Sequence, residues 1–234
     1  MSADAVIKLV LQYVDQLIHL IAGPRAFFRE IDPSARSAVT VALTFLLFSI
    51  VIAFVIRLPF IAGEGDAWRQ LPVMLVVYSA TAVTLGCLAC LAFRVVGGKS
   101  PLPGHVVVFC YFAGLSVLLF TLTTVIAKSL IRLRAPEAAG AIEDYVRAVL
   151  RYGPNAPDPA AVSDSPEVAW TILILLAGLL VIAFWLVVCW RVMAELNART
   201  TLQSYLALGL FLAAGYGVAR VLGMVQHGAG LALF

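Results

Sequence analysis

From Ala38 to Phe60 the chain carries a single charged side chain, Arg57, in an otherwise apolar run. A helix of about 20 residues crosses a hydrocarbon layer about 30 Å thick, so this run is long enough to span a bilayer. Four more follow, at about Leu71 to Val96, His105 to Lys128, Val168 to Val192 and Leu202 to Leu222. Inside lipid every backbone N–H and C=O needs a partner within the protein, so each run is expected to be a helix. Soluble domains carry about 25% charged residues, against 12% here, with 62% hydrophobic. The expected fold is all-α: a polytopic membrane bundle of five transmembrane helices with an N-terminal amphipathic interfacial helix. Residues 1–35 form the membrane-surface segment and 36–234 the transmembrane domain, with a long loop over 129–167.

Orientation follows from the basic residues in short flanking segments. With the N-terminus cytoplasmic, that side receives Lys8, Arg25, Arg29, Arg36, Arg94, Lys99, Arg191 and Arg199, and the other receives Arg57, Arg69 and Arg220. The eight-to-three balance favours an N-terminus inside and a C-terminus outside. Counting the long loop as well brings the two sides level. The chain opens without the basic start, apolar block and cleavage site of a signal peptide, so targeting is expected through the first span.

Asp4, Lys8, Gln12, Asp15 and His19 recur at three- and four-residue spacing, one polar stripe on an otherwise apolar helix. Such a helix lies on the membrane surface or packs on the bundle. After Gly23-Pro24 comes RAFFRE, where Phe27 and Phe28 are expected to anchor at the interface while Arg25 and Arg29 stay in water. Tyr13, Trp68 and Trp170 are expected at the same level. A second amphipathic piece is expected over about Pro136 to Tyr152, followed by a Pro/Ala-rich connection.

Chemistry in a membrane protein usually leaves ionisable groups within its spans. Here the basic residues sit near span ends and no carboxylate lies mid-span, so proton-coupled transport is not expected. His19, His105 and His227 are too scattered to hold haem, and no His-Glu-x-x-His or Gly-x-Ser-x-Gly occurs. No enzyme activity, metal or other cofactor is expected. Cys87 and Cys90 form a C-x-x-C inside an apolar span and are read as packing residues. A net charge of +3, with no basic segment interleaved with aromatics, gives no case for nucleic acid.

The Gly97-Gly98-Lys99-Ser100 stretch ends like a phosphate-binding loop, but the position five before Gly98 is Phe93, not glycine. Pro101 and Pro103 also remove amide donors from the next turn. Gly97, Gly98 and Lys99 are read as a turn between two spans, without nucleotide. Small residues mark close helix contacts: Gly86 on the second span, Gly114 on the third, and Gly209, Ala213 and Gly217 on one face of the fifth. The last three serve either the bundle or a second chain.

The order of these features resembles one family. An amphipathic N-terminal helix, a G-P-x-x-F-F element (Gly23, Pro24, Phe27, Phe28) and five spans are followed here by family-type details. These are the G-G-K turn before the third span, then Tyr111, Ala113 and Gly114. The chain is similar over nearly its whole length to the Ypt-interacting-protein (Yip) family of five-span membrane proteins, in particular its bacterial branch. The resemblance implies a bacterial cytoplasmic (inner) membrane location, a cytosolic N-terminus and no catalytic residues. The Rab-type GTPase partners of eukaryotic members are not implied, because the long cytosolic N-terminal region of those members is missing.

Two functional expectations compete. One is a scaffold or accessory subunit in contact with lipid and with another membrane protein or a second copy. The other is a channel or transporter for a small solute, lined by Thr40, Thr44, Ser49, Ser79, Thr81, Thr84, Thr121, Thr123 and Thr124. Membrane shaping through the N-terminal helix is a third.

Overall fold

The computed structural model describes residues 3–33, 35–61, 67–136, 139–140, 166–197 and 200–229. Seven helices follow in order among them: α1 (Ala3–Ala22), α2 (Pro24–Glu30), α3 (Arg36–Ile61), α4 (Ala67–Val95), α5 (Leu102–Arg134), α6 (Pro166–Leu196) and α7 (Thr201–Ala229). No strand occurs among the described residues. Four of these helices hold stretches long and apolar enough to cross a membrane: Ser37–Phe60, Trp68–Val95, Leu102–Arg134 and Ala169–Leu196. The chain is therefore an all-helical protein of integral-membrane character. Most of the second amphipathic piece expected near Pro136 to Tyr152 lies outside the described residues, as does the Pro/Ala-rich connection.

The core is built around α5. In the apolar stretch of α5, 67% of residues are buried, against 39% in α3, 22% in α4 and 17% in α6. It packs on α3, α6 and α4, in that order of extent. A helix surrounded this way needs neighbours that approach closely, and glycines permit it. A Cβ on Gly86 would stand 2.8 Å from the Val106 Cα, so α4 and α5 touch backbone to backbone. A Cβ on Gly114 would stand 2.9 Å from the Phe45 ring and the Ser49 hydroxyl of α3. On the third side Gly178 of α6 faces Thr123, whose methyl would be 2.5 Å from an added Cβ. Gly86 and Gly114 thus stand at helix contacts within the bundle.

The expected third span stops at Lys128, but α5 continues to Arg134. The extra turns still have packing to support them: Ile131 is buried, and the Arg132 guanidinium lies 5.3 Å from the centre of the Phe60 ring. At 33 residues the helix is about 50 Å long, longer than the hydrocarbon layer it crosses.

α1 shows three faces rather than two. Tyr13 and Leu20 are buried against the bundle, and Leu17 is partly so. Ile7, Leu11, Val14, Ile18 and Ile21 form an exposed apolar stripe at alternating four- and three-residue spacing. Asp15 and His19, on the third face, stay exposed and lie 3.5 Å apart.

Alanine at Gly86 or Gly178 is expected to cost about 1–3 kcal/mol through overpacking. Gly209→Ala meets nothing within 4 Å and is expected to leave stability within about 0.5 kcal/mol or raise it slightly. Thermal unfolding midpoints of the three purified variants in one detergent check the contrast.

Candidate functional site

One end of the bundle gathers most of the chain's described polar contacts. It begins with the turn after α4. The Gly97 N–H bonds the Arg94 carbonyl at 2.9 Å, and the Gly98 N–H bonds the Phe93 carbonyl at 2.6 Å. With Gly97 at φ 87°, this is a Schellman cap: paired backbone bonds that end a helix through a left-handed glycine. Gly97 and Gly98 spend their amides on the helix they terminate.

Asn197, at the end of α6, closes the turn from the other side. Its carboxamide oxygen accepts the Ser100 N–H at 3.3 Å. Its nitrogen donates to the Met193 carbonyl at 2.7 Å and to His105 Nε2 at 3.1 Å. His105 Nδ1 lies 3.3 Å from the Pro101 carbonyl, which only accepts, so the ring proton sits on Nδ1 and Nε2 is the acceptor. Asn197 and His105 are both buried, and each polar atom of the imidazole ring and the carboxamide has its partner. Gly98 is required at this point, since a Cβ would stand 2.6 Å from the Asn197 oxygen. Lys99 is exposed. The predicted turn residues are therefore brought together with Asn197, a residue that the sequence analysis did not single out.

α2 folds over the same end. Gly23 precedes it and Pro24 opens it, so the chain turns sharply out of α1. Arg25 and Arg29, four apart on one face, reach Glu195 of α6 at 3.3 and 3.5 Å. The opposite face puts Phe27 and Phe28 into the protein, edge-on to Tyr111 with centroids 4.9 and 5.8 Å away. Tyr111 in turn lies 4.8 Å from Phe45. The expectation that Phe27 and Phe28 anchor in the lipid interface is corrected: they are 5% and 2% exposed. The physical reason is that α2 is short and amphipathic, and the ring of Tyr111 offers its apolar face a drier partner than the headgroup layer.

Tyr13 is corrected in the same way. It is 5% exposed and stacks on Phe45 and Phe48 at 5.0 and 5.8 Å. Its hydroxyl lies 3.1 Å from Ser49 Oγ. The Ser49 proton is already donated to the Phe45 carbonyl, so Tyr13 donates. Burial pushes the Tyr13 phenol above its ordinary value, against a smaller opposing pull from Ser49, and the group stays a neutral donor at physiological pH. Trp68 and Trp170 remain exposed, both near the starts of their helices at the opposite end of the bundle.

A second ring cluster packs on the other side of α5. Trp190 lies between Phe93 and Phe211 at 5.0 and 5.2 Å, and Phe109 meets Phe211 at 5.5 Å. The Trp190 indole N–H also donates to the Ser204 carbonyl at 3.1 Å, which ties α7 to α6. On α7, Gly209 and Gly217 have nothing within 4 Å of an added Cβ, and Ala213 is exposed. That face does not pack within the described bundle.

Four of the nine hydroxyls proposed as a solute path turn inward to their own helices, while Ser79 Oγ is buried without a hydrogen-bond partner. Thr44 bonds the Thr40 carbonyl, Ser49 that of Phe45, Thr123 that of Leu119 and Thr124 that of Phe120. Among the described residues no three His, Cys, Asp or Glu side chains stand together as metal ligands. The arrangement is a clamp: a buried neutral network and two ring clusters that between them draw on all seven described helices. No family model matches the chain, and neither a curated protein nor a solved structure does.

Asn197→Ala leaves the Ser100 amide and His105 Nε2 buried without their partner and is expected to cost about 1–3 kcal/mol. Arg25→Ala removes an exposed ion pair and is expected to cost under about 1 kcal/mol. Unfolding midpoints in detergent should rank the two in that order.

Proposed function

We propose that the chain is a non-enzymatic, Yip-like protein of five spans that serves as a scaffold or accessory subunit of a membrane complex. The fifth span is α7, whose 29 residues give about 44 Å of helix. Its N-terminus is cytoplasmic and its C-terminus outside, in the inner membrane of a bacterium. Arg25, Arg29, Arg94, Lys99 and Arg191 support this orientation, because they gather at the end of the bundle that the N-terminal helices close. The G-P-x-x-F-F and G-G-K elements support the family reading through their placement. Phe27, Phe28 and Tyr111 meet in one cluster, and the G-G-K turn sits on the same end.

The observation that carries the proposal is the contrast between a filled interior and an open face. Tyr111, Phe45, Phe93 and Phe109 fill the space around α5, while the small-residue face of α7 is unoccupied within the described bundle. A scaffold needs a rigid body and a surface for another helix, and small residues let a second backbone approach closely. The amides of Gly97, Gly98 and Ser100 are engaged within the protein, which supports a turn without nucleotide.

A photo-crosslinking amino acid at Ala213, activated in native membranes, is expected to trap one partner protein at fixed stoichiometry. The same probe at Leu180, on the exposed face of α6, is expected to trap none. Ala213→Leu should abolish co-purification of that partner. Adducts only with a second copy of this chain, or none above the Leu180 control, would overturn the accessory-subunit reading.

A further inference from the structure

α1 and α3 are bridged by the Tyr13 side chain, but they do not close on one another. Between them lies a shallow groove that opens outward. Gln12 and Gln16 of α1 and Thr40 and Thr44 of α3 form its polar part. Leu9, Val41 and Phe48 form its apolar part, over the stacked Tyr13 and Phe45 rings. No charged side chain lines it.

Two features of the lining define an occupant. The first is unspent hydrogen-bonding capacity. Neither glutamine amide has a hydrogen-bond partner among the described residues, and the Thr44 hydroxyl, having donated to the Thr40 carbonyl, still has lone pairs free. The second is depth. α3 has 26 residues and so extends about 39 Å, whereas the hydrocarbon layer is about 30 Å thick and the whole bilayer about 40–45 Å. About 9 Å is left over, less than one turn at each end when shared equally, so its first turn lies in the interfacial layer. Thr40 stands about 6 Å along the axis from Arg36, near the level where polar headgroup gives way to acyl chain, and Thr44 about 12 Å along, beside the acyl chains. In a bilayer the neutral acceptors at that level are the carbonyl oxygens of lipid esters.

We infer that this groove binds the glycerol-ester region of a bilayer glycerolipid. The Gln12 and Gln16 amide N–H groups donate to the ester carbonyls, and an acyl chain lies over Val41 and Phe48. The uncharged lining selects the ester region in preference to a phosphate, whose charge would favour arginine or lysine. The inference requires only that the protein is embedded in a bilayer, and it stands or falls separately from the scaffold reading.

The test compares two lipids on the intact protein. The purified chain is delipidated, supplied with dioleoylphosphatidylglycerol or its dialkyl ether analogue, and read by native mass spectrometry. The ether lipid keeps the headgroup and chains but lacks both ester carbonyls. Wild type is expected to retain the ester lipid about tenfold better, the effect of one or two hydrogen bonds of ordinary strength. The double variant Gln12→Leu/Gln16→Leu is expected to lose that preference and hold both lipids equally. Equal retention of the two lipids by wild type would overturn the inference. So would an ester preference that survives in a double variant whose unfolding midpoint matches wild type. If the double variant does not fold, the wild-type comparison alone decides.

Discussion

A helix with 67% of its apolar stretch buried has to be met by neighbours at backbone distance, and α5 imposes that condition on the whole molecule. Its burial calls for a small residue at each contact: on α4, on α6 and, toward α3, on α5 itself. Gly86 meets the Val106 backbone, Phe45 and Ser49 meet Gly114, and Gly178 meets Thr123. In lipid the hydrophobic effect does not drive helix against helix, because a lipid tail is as apolar as leucine. Close packing and interhelical hydrogen bonds carry the association instead. The contact points of α5 show both: glycine contacts along its length, and the Asn197–His105 bond near its N-terminal end.

The two ends of the bundle are closed by different physics. At one end, directional bonds from Asn197 tie α6 to the α4–α5 turn and to α5 itself. At the other, the described contacts are softer: Phe54 with Trp68 at 5.4 Å, and Arg132 over Phe60. A network whose donors and acceptors are all matched resists displacement, because any shift strands a buried polar group. The exposed Arg25 and Arg29 contacts to Glu195 add orientation to α2 but little energy. The rings of Phe27 and Phe28 do more to hold it.

Four of the expected spans were legible in the sequence because apolar length is a local property. A run such as Ala38 to Phe60 states its environment without reference to any other segment. The Gly97-Gly98 turn was legible for the same reason, since a helix stop followed by prolines is written in consecutive residues. The packing partners were not legible. RAFFRE announces one apolar and one basic face, but whether Phe27 and Phe28 meet lipid or Tyr111 depends on a residue more than 80 positions away. Asn197 gave a faint signal: it is a lone carboxamide at the end of an apolar span, on the same expected side of the membrane as His105 and Ser100. Gly178 gave less, because a glycine in a leucine-rich helix looks alike whether it faces a threonine or a lipid tail.

α1 and α7 flank the core formed by α3, α4, α5 and α6, and each leaves a face uncovered. α7 is held chiefly by α4, by Phe211 in its ring cluster and by the Trp190–Ser204 bond. α1 is held through Tyr13 and Leu20. Their exposed residues differ in kind. α7 offers small residues on one face, suited to another backbone. α1 offers bulky aliphatics from Ile7 to Ile21 beside a polar stripe, suited to the disordered layer between headgroup and chain. Three chemically distinct faces, one buried, one exposed and apolar and one exposed and polar, each disfavour rotation of α1 about its own axis. That is why α1 can stand off from α3 across a groove, bridged by a single tyrosine, without losing its register on the bundle.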